Sequence, residues 1–455
     1  MEKTIAAIST APAPGGIGIV RISGGEAFAV AEKVFRGVSG KKLSQMKGYT
    51  AQLGGVYTPA GEKLDDVVAL VYRGPKSYTG EDVVELSCHG GLYMTKRLLQ
   101  LVLDAGAAPA GPGEFTRRAF LNGKMDLAQA EAVMGLISAS GEQARKAALA
   151  GSTGVLSRKI ESIKQGLLEQ AAHLAAWADF PEEDVPQVEE AALLEGIRQG
   201  EKALEELLQG FDRGRMYREG LVTVIAGRPN AGKSTLMNLL SGCQRSIVTQ
   251  YAGTTRDVVE ETVMVAGVPL RLADTAGIRD TDDPVESIGV QAARQRLETA
   301  QLVLAVFDSS QALEKEDWEL MDALEKVPAI AIVNKSDLPT RMDVEAIQRR
   351  FEKTVSLSAA TGEGLAALEQ ALSEILDTKD FHPQEGVLFT QRQRMDAQTA
   401  LDSLREGEQA LVLGLTLDAV TVCVEDALHA LAALTGEQVS EEIVDRVFEE
   451  FCVGK

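Results

Sequence analysis

The 455-residue sequence has few cysteines and no long apolar run. Its four cysteines, Cys88, Cys243, Cys423 and Cys452, are far apart, which excludes a disulfide framework and a Cys-x-x-Cys metal pair. No apolar run approaches the ~18 residues that a membrane helix needs, and the N-terminus lacks the basic segment and apolar core of a signal peptide. We therefore expect a cytoplasmic protein with reduced thiols and no membrane contact.

Positive charge is also scarce, since 46 lysines and arginines face 67 acidic residues and the net charge is −21. The balance is uneven along the chain: residues 1–119 carry a net +3, and the rest carries −6, −8 and −10 in residues 120–220, 221–376 and 377–455. Such a chain repels phosphate backbones, which argues against extensive wrapping of RNA. Any contact with a nucleic acid needs a local basic patch or the surface of a partner.

Length and composition indicate a globular protein of about three domains, at ~150 residues for each domain. Apolar residues make up 45% of the chain and charged residues 25%, which excludes disordered, collagenous and fibrous classes. Residues 1–119 combine strand-like runs with glycine turns and one helical segment, at residues 17–22, 67–72, 83–87 and 90–104. This pattern predicts a small α+β domain at the N-terminus.

Helical periodicity dominates residues 120–220 and returns in residues 377–455, where Ser440 is a plausible helix cap. Residues 180–186 interrupt the first stretch with two prolines and several acids. A calcium loop is one interpretation of those acids, but the glycine and the ligand spacing of such a loop are missing, so we predict a solvated loop. The two helical stretches are predicted to form one domain into which residues 221–376 are inserted.

Residues 221–376 alternate apolar runs with segments of helix length. The runs at 221–226, 302–307 and 329–333 are almost continuously apolar, as expected for strands covered by helices on both faces. The pattern predicts a doubly wound parallel sheet.

A phosphate-binding motif follows the first of these runs. Residues 227–234 read GRPNAGKS, which matches G-x-x-x-x-G-K-[ST] between a strand and a helix. The glycines allow backbone amides to surround phosphate oxygens, the Lys233 ammonium reaches the outer phosphates, and the Ser234 hydroxyl can bind magnesium. The predicted loop contacts are Asn230, Ala231, Gly232, Lys233, Ser234 and Thr235.

Further nucleotide motifs follow in order. Residues 253–255 read GTT, where Thr255 can complete the magnesium shell, and Asp274, Thr275, Ala276 and Gly277 follow the next strand run. The segment NKSD contains Asn334, Lys335 and Asp337; its carboxylate can accept both hydrogen bonds that the N–H edge of guanine donates, which adenine cannot supply. Ser358, Ala359 and Ala360 match the loop whose amide meets the guanine oxygen. Together these motifs predict a GTPase.

The catalytic mechanism is less evident from these motifs. Ile278 stands where Ras-type enzymes place a glutamine that orients water, and an apolar side chain cannot do so. Two substitutes are open: a cation near the phosphates with Asn230 as a ligand, or an acid among Asp282, Asp283 and Glu286. Those acids could equally be ordinary solvated charges.

Four segments outside the GTPase motifs carry a family resemblance: GIGIVRISG (16–24), YTGEDVVE (78–85), PGEFTRRAFLNGKMDLAQAEA (112–132) and FCVGK (451–455). With these segments the chain resembles the bacterial tRNA modification GTPase MnmE (TrmE) family over essentially its full length. That family usually has Ile or Leu where Val453 stands, a conservative departure. The resemblance implies an N-terminal dimerisation and folate-binding domain at 1–119, a helical domain at 120–220 and 377–455, and an inserted Ras-like P-loop GTPase domain at 221–376.

The resemblance also implies two cofactor sites. Arg21, Glu85, Lys124 and Lys455 correspond to positions that bind 5-formyl- or methylene-tetrahydrofolate, because cations can meet the folate carboxylates and a glutamate the pterin N–H edge. Cys452 would lie beside the folate as a catalytic candidate, or else anchor the last helix as a small apolar side chain. Potassium would take the place of an arginine finger. Its ligands would be Asn230 of the phosphate loop and Thr249, Tyr251 and Thr254 of a second loop, which also includes Gln250, Ala252 and Gly253. Glu286 would orient the attacking water.

The implied reaction adds an aminomethyl-type group to carbon 5 of the wobble uridine of certain tRNAs. The homodimer would act with the flavoprotein MnmG, in a heterotetramer whose FAD belongs to that partner, and glycine or ammonium would supply nitrogen. The basic pairs Lys96-Arg97 and Arg117-Arg118 are interpreted as ordinary helix-face charges. The alternative function is a GTP switch that modifies nothing, such as a ribosome-assembly factor, and the N-terminal segments and the cysteine-containing tail argue against it.

Overall fold

The computed structural model describes residues 3–179, 190–243, 261–272, 300–325, 327–376, 382–449 and 451–454. The chain divides into two compact units, one comprising Met1–Met134, Ile160–Val188 and Glu406–Lys455, the other Gly135–Lys159 and Glu189–Arg405. This division follows packing density, so the domain boundaries predicted after residues 119, 220 and 376 stay a prediction. In the described ranges no helix has both the length and the apolar character needed to cross a bilayer.

The N-terminal part of the first unit is built on a seven-stranded sheet. Its strands are β1 (Ile5–Ile8), β2 (Ile17–Ser23), β3 (Phe35–Gly37), β4 (Thr50–Tyr57), β5 (Lys63–Tyr72), β6 (Val83–His89) and β7 (Ala108–Pro109). They pair in the order β3-β4-β5-β6-β2-β1-β7, antiparallel except for β1 with β7. Helices α1 (Ala27–Val34) and α2 (Leu92–Asp104) share one apolar core with the sheet. The predicted α+β pattern is confirmed.

The strand alternation gives this sheet one apolar face and one mixed face. Val20, Ile22, Val84 and Leu86 are fully buried against the two helices. Arg21 and Glu85 stand opposite each other in register on β2 and β6 and therefore point to the other face. Two of the folate-site candidates, Arg21 and Glu85, thus share the sheet face opposite the two helices.

Helices predominate in the residues between the two sheets, as predicted. They are α3 (Glu114–Leu121), α4 (Leu127–Ile137), α5 (Glu142–Ser152), α6 (Val155–Asp179) and α7 (Glu190–Glu219). The buried Lys164 of α6 donates to both carboxylate oxygens of Glu437 at 2.7 Å, which holds two distant helical segments together. The acidic loop predicted at 180–186 lies outside the described residues.

The second unit contains a six-stranded sheet formed by β8 (Leu221–Ala226), β9 (Glu261–Val265), β10 (Val268–Leu272), β11 (Leu302–Asp308), β12 (Ala329–Asn334) and β13 (Lys353–Ser356). The order is β13-β12-β11-β8-β10-β9. Strands β11 and β12 are buried along their whole length, as the apolar runs predicted. The predicted parallel sheet is confirmed for β8, β10, β11, β12 and β13, and β9, which was not predicted, adds an edge strand that pairs antiparallel with β10. A two-residue turn at Ala266-Gly267, both with positive φ, permits that hairpin.

Helices α8 (Lys233–Cys243), α9 (Lys315–Ala323) and α10 (Val344–Gln348) lie between these strands in the chain, and α11 (Leu365–Ile375) follows β13. Beyond them lie α12 (Gln391–Val412), α13 (Leu417–Thr435) and α14 (Glu441–Glu449). Ser440 accepts the Ile443 N–H at 3.4 Å, which confirms it as a cap of α14.

Arg218 lies near the end of α7, just before the first strand of the second sheet. Its side chain contacts residues 388–389, which follow the last strand of that sheet in the chain. Its guanidinium donates to the Leu388 carbonyl at 2.9 Å and lies over the rings of Phe211 and Phe389, 5.4 and 5.3 Å from their centroids. Burial lowers the pKa of Arg218 to about 10, so the group stays charged at neutral pH. The cation–π contacts and the hydrogen bond compensate part of the desolvation cost of that charge.

Candidate nucleotide site

The loop between β8 and α8 has the backbone conformation that its sequence motif predicts. Gly227 has φ +154° and Gly232 has φ +98°, and Asn230 adopts the left-handed conformation at φ +62°. A Cβ atom at Gly232 would lie 2.1 Å from Asn334 Nδ2, and one at Gly227 would lie 2.3 Å from the Val306 carbonyl oxygen. Both glycines are therefore required by close packing as well as by backbone conformation.

Lys233 lies at the start of α8 with its ammonium folded over the loop. Nζ donates to the carbonyl oxygens of Gly227 and Arg228 at 2.9 and 2.7 Å, and the residue is 9% exposed. The next two residues, Ser234 and Thr235, are exposed at the helix N-terminus. This arrangement places a cation and exposed hydroxyl groups where the helix dipole and the free amides favour an anion such as a phosphate.

Asn334 joins the phosphate loop to the base-binding loops. Its buried side chain donates from Nδ2 to the Ala231 carbonyl at 2.8 Å and accepts the Ala359 N–H on Oδ1 at 2.9 Å. Asn334 therefore contributes to the site by holding two loops together. The Ala359 amide is therefore already bonded to Asn334, whereas the next residue of the predicted guanine loop, Ala360, is exposed.

Asp337 is exposed just after the C-terminal end of β12, and among the described residues none hydrogen-bonds its carboxylate. Lys335, two residues earlier, has φ +61° and pairs with Asp308 at 2.6 Å. Burial opposes the charge on Asp308, but hydrogen bonds from Lys335 and Ser310 hold the pKa of that carboxyl below its usual value. We did not predict Asp308, although an acid at the end of a wholly apolar strand was a usable signal.

Several predicted residues lie outside the described residues: Thr249, Gln250, Tyr251, Ala252, Gly253, Thr254, Thr255, Asp274, Thr275, Ala276, Gly277, Glu286 and Lys455. Of the predicted potassium and magnesium ligands, the structure describes Asn230 and Ser234, both exposed on the phosphate loop. No group of three or more His, Cys, Asp or Glu side chains suited to a metal ion occurs in the described ranges.

Arg21 and Glu85 form the centre of a second polar site, on the N-terminal sheet. Two guanidinium nitrogens of Arg21 contact Glu85 Oε1 at 2.8 and 2.9 Å, and Tyr72 donates to Glu85 Oε2 at 3.2 Å. Burial and the neighbouring Glu85 charge raise the pKa of Tyr72. The guanidinium also lies over the rings of Tyr78 and Phe115, at 5.9 and 5.5 Å. The site thus combines a cation and a carboxylate with a half-buried aromatic ring, that of Tyr78, over the fully buried Phe115.

The C-terminal tail reaches this second site. The Cys452 carbonyl accepts the Gly113 N–H at 3.3 Å, and Val453 forms a β-bridge with Pro112. The Gly454 carbonyl accepts hydrogen bonds from Ser9 at 3.1 Å and from Arg21 at 3.5 Å. The half-buried Cys452 therefore lies two residues from a backbone contact with Arg21.

Lys124 approaches the same region by its own contact. Its Nζ donates to the Pro75 carbonyl at 2.9 Å, and its stem lies against Gly80 in the loop that also contains Tyr78.

The interpretation of Arg117-Arg118 as ordinary helix-face charges is wrong for Arg118. That side chain is buried and donates to Glu81, Glu114 and the Lys3 carbonyl, because it closes a polar network under α3.

The fold and the first site together define the class of this protein: a P-loop GTPase. A family model described as the MnmE helical domain matches residues 127–452, and one described as the GTP-binding protein TrmE N-terminus matches residues 4–124. The tRNA modification GTPases MnmE of Alkaliphilus oremlandii and Symbiobacterium thermophilum are 43% and 45% identical, over the full length of each chain. The chain therefore belongs to the tRNA modification GTPase MnmE family.

The MnmE of Lactococcus lactis subsp. cremoris is 42% identical over 99% of this chain and 98% of its own. Among solved structures, Era of Aquifex aeolicus bound to GDP and aluminium fluoride is 26% identical over 42% of this chain and 67% of its own. The TM-score of that superposition is 0.27.

Proposed function

We propose that this chain is the GTP-hydrolysing component of a tRNA modification enzyme. Together with the flavoprotein MnmG, its homodimer adds a carboxymethylaminomethyl or aminomethyl group to carbon 5 of the wobble uridine of certain tRNAs in the cytoplasm. Tetrahydrofolate, as the 5-formyl or methylene derivative, donates the carbon, and FAD enters only through MnmG. The observation that carries this proposal is the full-length similarity to relatives named tRNA modification GTPase MnmE, which includes the N-terminal and tail segments.

In the GTPase site each described side chain has a distinct task. Lys233 neutralises the outer phosphates after leaving the carbonyls of Gly227 and Arg228. Ser234 and Thr255, of which Thr255 lies outside the described residues, would hold magnesium, and the ion would supply positive charge at the phosphates. Asp337 selects guanine by accepting two N–H groups, and Asn334 keeps the base-binding loop and the phosphate loop in fixed relation.

The first prediction concerns potassium. Since Ile278 cannot orient water, we expect GTP turnover in potassium to exceed turnover in sodium by on the order of tenfold or more, because the cation takes the place of a group worth ~10³–10⁵ in rate. Turnover of the full chain is measured with both salts at equal ionic strength, alongside G-domain association. Asn230→Ala, which removes a proposed oxygen ligand, should lose the potassium dependence. Equal rates in both salts would refute the cation mechanism while leaving the GTPase class intact.

The folate site rests on the chemistry around Arg21 and Glu85. A folate has carboxylates that a guanidinium or the Lys124 ammonium can bind, and a pterin N–H edge that can donate to the Glu85 carboxylate. The half-buried ring of Tyr78 offers apolar surface for the flat pterin, and the fully buried Phe115 ring supports the Arg21 guanidinium from below. The residues present therefore fit the group. When bound, the folate supplies the one-carbon unit, and the nearby Cys452 is the candidate reactive thiol.

The second prediction tests this folate site. Glu85→Gln replaces an acceptor by an amide whose N–H groups face the pterin donors, so we expect 5-formyltetrahydrofolate to bind about tenfold or more weakly. Calorimetric titration of the full chain measures the affinity. Asp104→Asn, at an exposed carboxylate at the end of α2, serves as the control and should bind normally. Normal folate binding by Glu85→Gln would remove Glu85 from the site.

The proposed homodimer has a candidate surface on the face of the sheet that carries Arg21. Ile17, Leu53 and Val68 are 65%, 55% and 41% exposed there, and they lie on the same side of the sheet as Glu85. Exposed apolar side chains grouped on one sheet face are typical of protein interfaces. A second copy of this chain is the proposed partner, since it would cover this face and enclose the folate.

Analysis of wobble uridines in a strain that lacks this protein tests the proposed function directly. We expect the 5-substituted uridine to disappear from the affected tRNAs and to return with the wild-type chain. The alternative, a GTP switch without modification, predicts unchanged uridines and no folate binding, because a pure switch has no use for a one-carbon donor.

A further inference from the structure

Arg228, the second residue of the phosphate loop, is held by a set of acceptors that the nucleotide motif does not require. Its side chain is 11% exposed and contacts Glu314 Oε2 at 2.6 Å, Gln311 Oε1 at 2.9 Å and Asp317 Oδ2 at 3.3 Å. Each of these acceptors belongs to the segment that leads from β11 into α9. The guanidinium therefore ties the phosphate loop to a neighbouring structural element.

That segment is itself rigidly held. Asp317 is 4% exposed, and its Oδ2 also accepts the Glu314 N–H at 3.0 Å in a capping box at the start of α9. At its other end, Asp308 pairs with Lys335 and Ser309 donates to the Lys335 carbonyl at 2.9 Å. The segment from Asp308 to Asp317 thus contacts the phosphate loop at one end and the base-binding loop at the other.

The backbone of Arg228 has a direct part in the phosphate site. Its carbonyl accepts the Lys233 ammonium at 2.7 Å and the Ala231 N–H at 3.3 Å. Asn230, two residues further on, keeps a left-handed backbone conformation at φ +62°, which has an energetic cost for a residue with a side chain. An anchored Arg228 side chain holds the backbone on which both features depend.

We propose that Arg228 is a positioning residue for the nucleotide phosphates. It acts through Gln311, Glu314 and Asp317, which fix the loop in its phosphate-binding form before the nucleotide arrives. The inference rests on GTP binding by this domain, and it concerns the phosphate end of the site alone. Arginine suits this role because its planar guanidinium meets several acceptors at once, whereas a lysine ammonium is a single point charge.

Arg228→Gln should weaken the binding of GDP and of inosine diphosphate by the same factor, about tenfold, since charge-assisted hydrogen bonds are lost at the phosphate loop. Inosine lacks the 2-amino group of guanine, so the ratio of the two affinities measures base recognition separately. That ratio should stay at the wild-type value in Arg228→Gln and change in Asp337→Asn. Arg228→Lys should recover part of the affinity. Competition against a fluorescent guanine nucleotide measures all affinities on the full chain.

Two further variants complete the test. Arg350→Gln is the control: it removes an exposed ion pair with Asp322, which lies on α9 as Asp317 does, and should leave both affinities unchanged. Asp317→Asn should reproduce much of the loss of nucleotide affinity seen in Arg228→Gln. The double variant should lose little more affinity, because both substitutions remove the same Arg228–Asp317 interaction. An Arg228→Gln affinity within twofold of wild type, or a changed base ratio, would overturn the proposal. Failure of the wild-type chain to bind GDP would instead overturn GTP binding itself.

Discussion

Asp337→Asn is expected to lower GTP affinity by about 10²–10³-fold, because two hydrogen bonds to a carboxylate, each worth ~1.5–3 kcal/mol, are disrupted. The wild-type carboxylate is exposed and not bonded by other described residues, so it is available to the N–H edge of guanine. In the variant the amide N–H group faces guanine donors, and this mismatch leaves buried donors unpaired in the complex.

Xanthosine triphosphate provides the decisive measurement for Asp337. Xanthine has a carbonyl where guanine has its 2-amino group, so it can accept the hydrogen bond that the amide side chain of the variant would donate. We therefore expect the variant to prefer the xanthine nucleotide, reversing the wild-type order. Glu325→Gln, at an exposed carboxylate after α9, is the control and should keep the guanine preference. A variant that still prefers GTP would show that base recognition lies elsewhere.

Glu286→Ala is expected to reduce GTP hydrolysis by about 10²–10⁴-fold, the usual range for a group that handles the proton of an attacking nucleophile, while GTP still binds. The expectation comes from the sequence: Ile278 follows the Asp-Thr-Ala-Gly motif and cannot orient water, and Glu286 matches the water-orienting acid of the family. Single-turnover hydrolysis and nucleotide affinity, measured on the same preparation, separate the chemical step from binding.

The neighbouring Asp283 provides the matched control for Glu286. Asp283→Ala removes a carboxylate from the same short segment and should retain most of the turnover, because the proposed role depends on one position and not on local charge. Potassium-stimulated hydrolysis that persists in Glu286→Ala would refute the assignment.

Local signals in the sequence were sufficient for most elements and for the nucleotide motifs. The continuous apolar runs of β11 and β12 predicted buried strands, because parallel strands covered on both faces exclude polar side chains. The spacing of Gly227, Gly232 and Lys233 predicted the phosphate loop, since those residue types are set by backbone conformation and ligand charge.

Relations between distant segments could not be read in the same way. The place of β9 at the sheet edge depends on how β10 pairs with β8, and the burial of Arg118 depends on Glu81 and the Lys3 carbonyl. Likewise, Asp308 joins the site only because Lys335 reaches it across two adjacent strands. These partners are far apart along the chain, and local periodicity predicts helices and strands but not which distant residues pair.

Sequence alone determined the chemistry available to this protein: a phosphate loop, a carboxylate that we propose selects guanine, and the N-terminal and tail segments of its family. Tertiary structure alone decided which of these groups act together. Packing placed Arg21 against Glu85 and brought the Gly454 carbonyl within hydrogen-bond distance of Arg21. It also paired Arg228 of the phosphate loop with Asp317 of α9. The physical reason is that hydrogen bonds and ion pairs act over a few ångströms of space, whatever the separation along the chain.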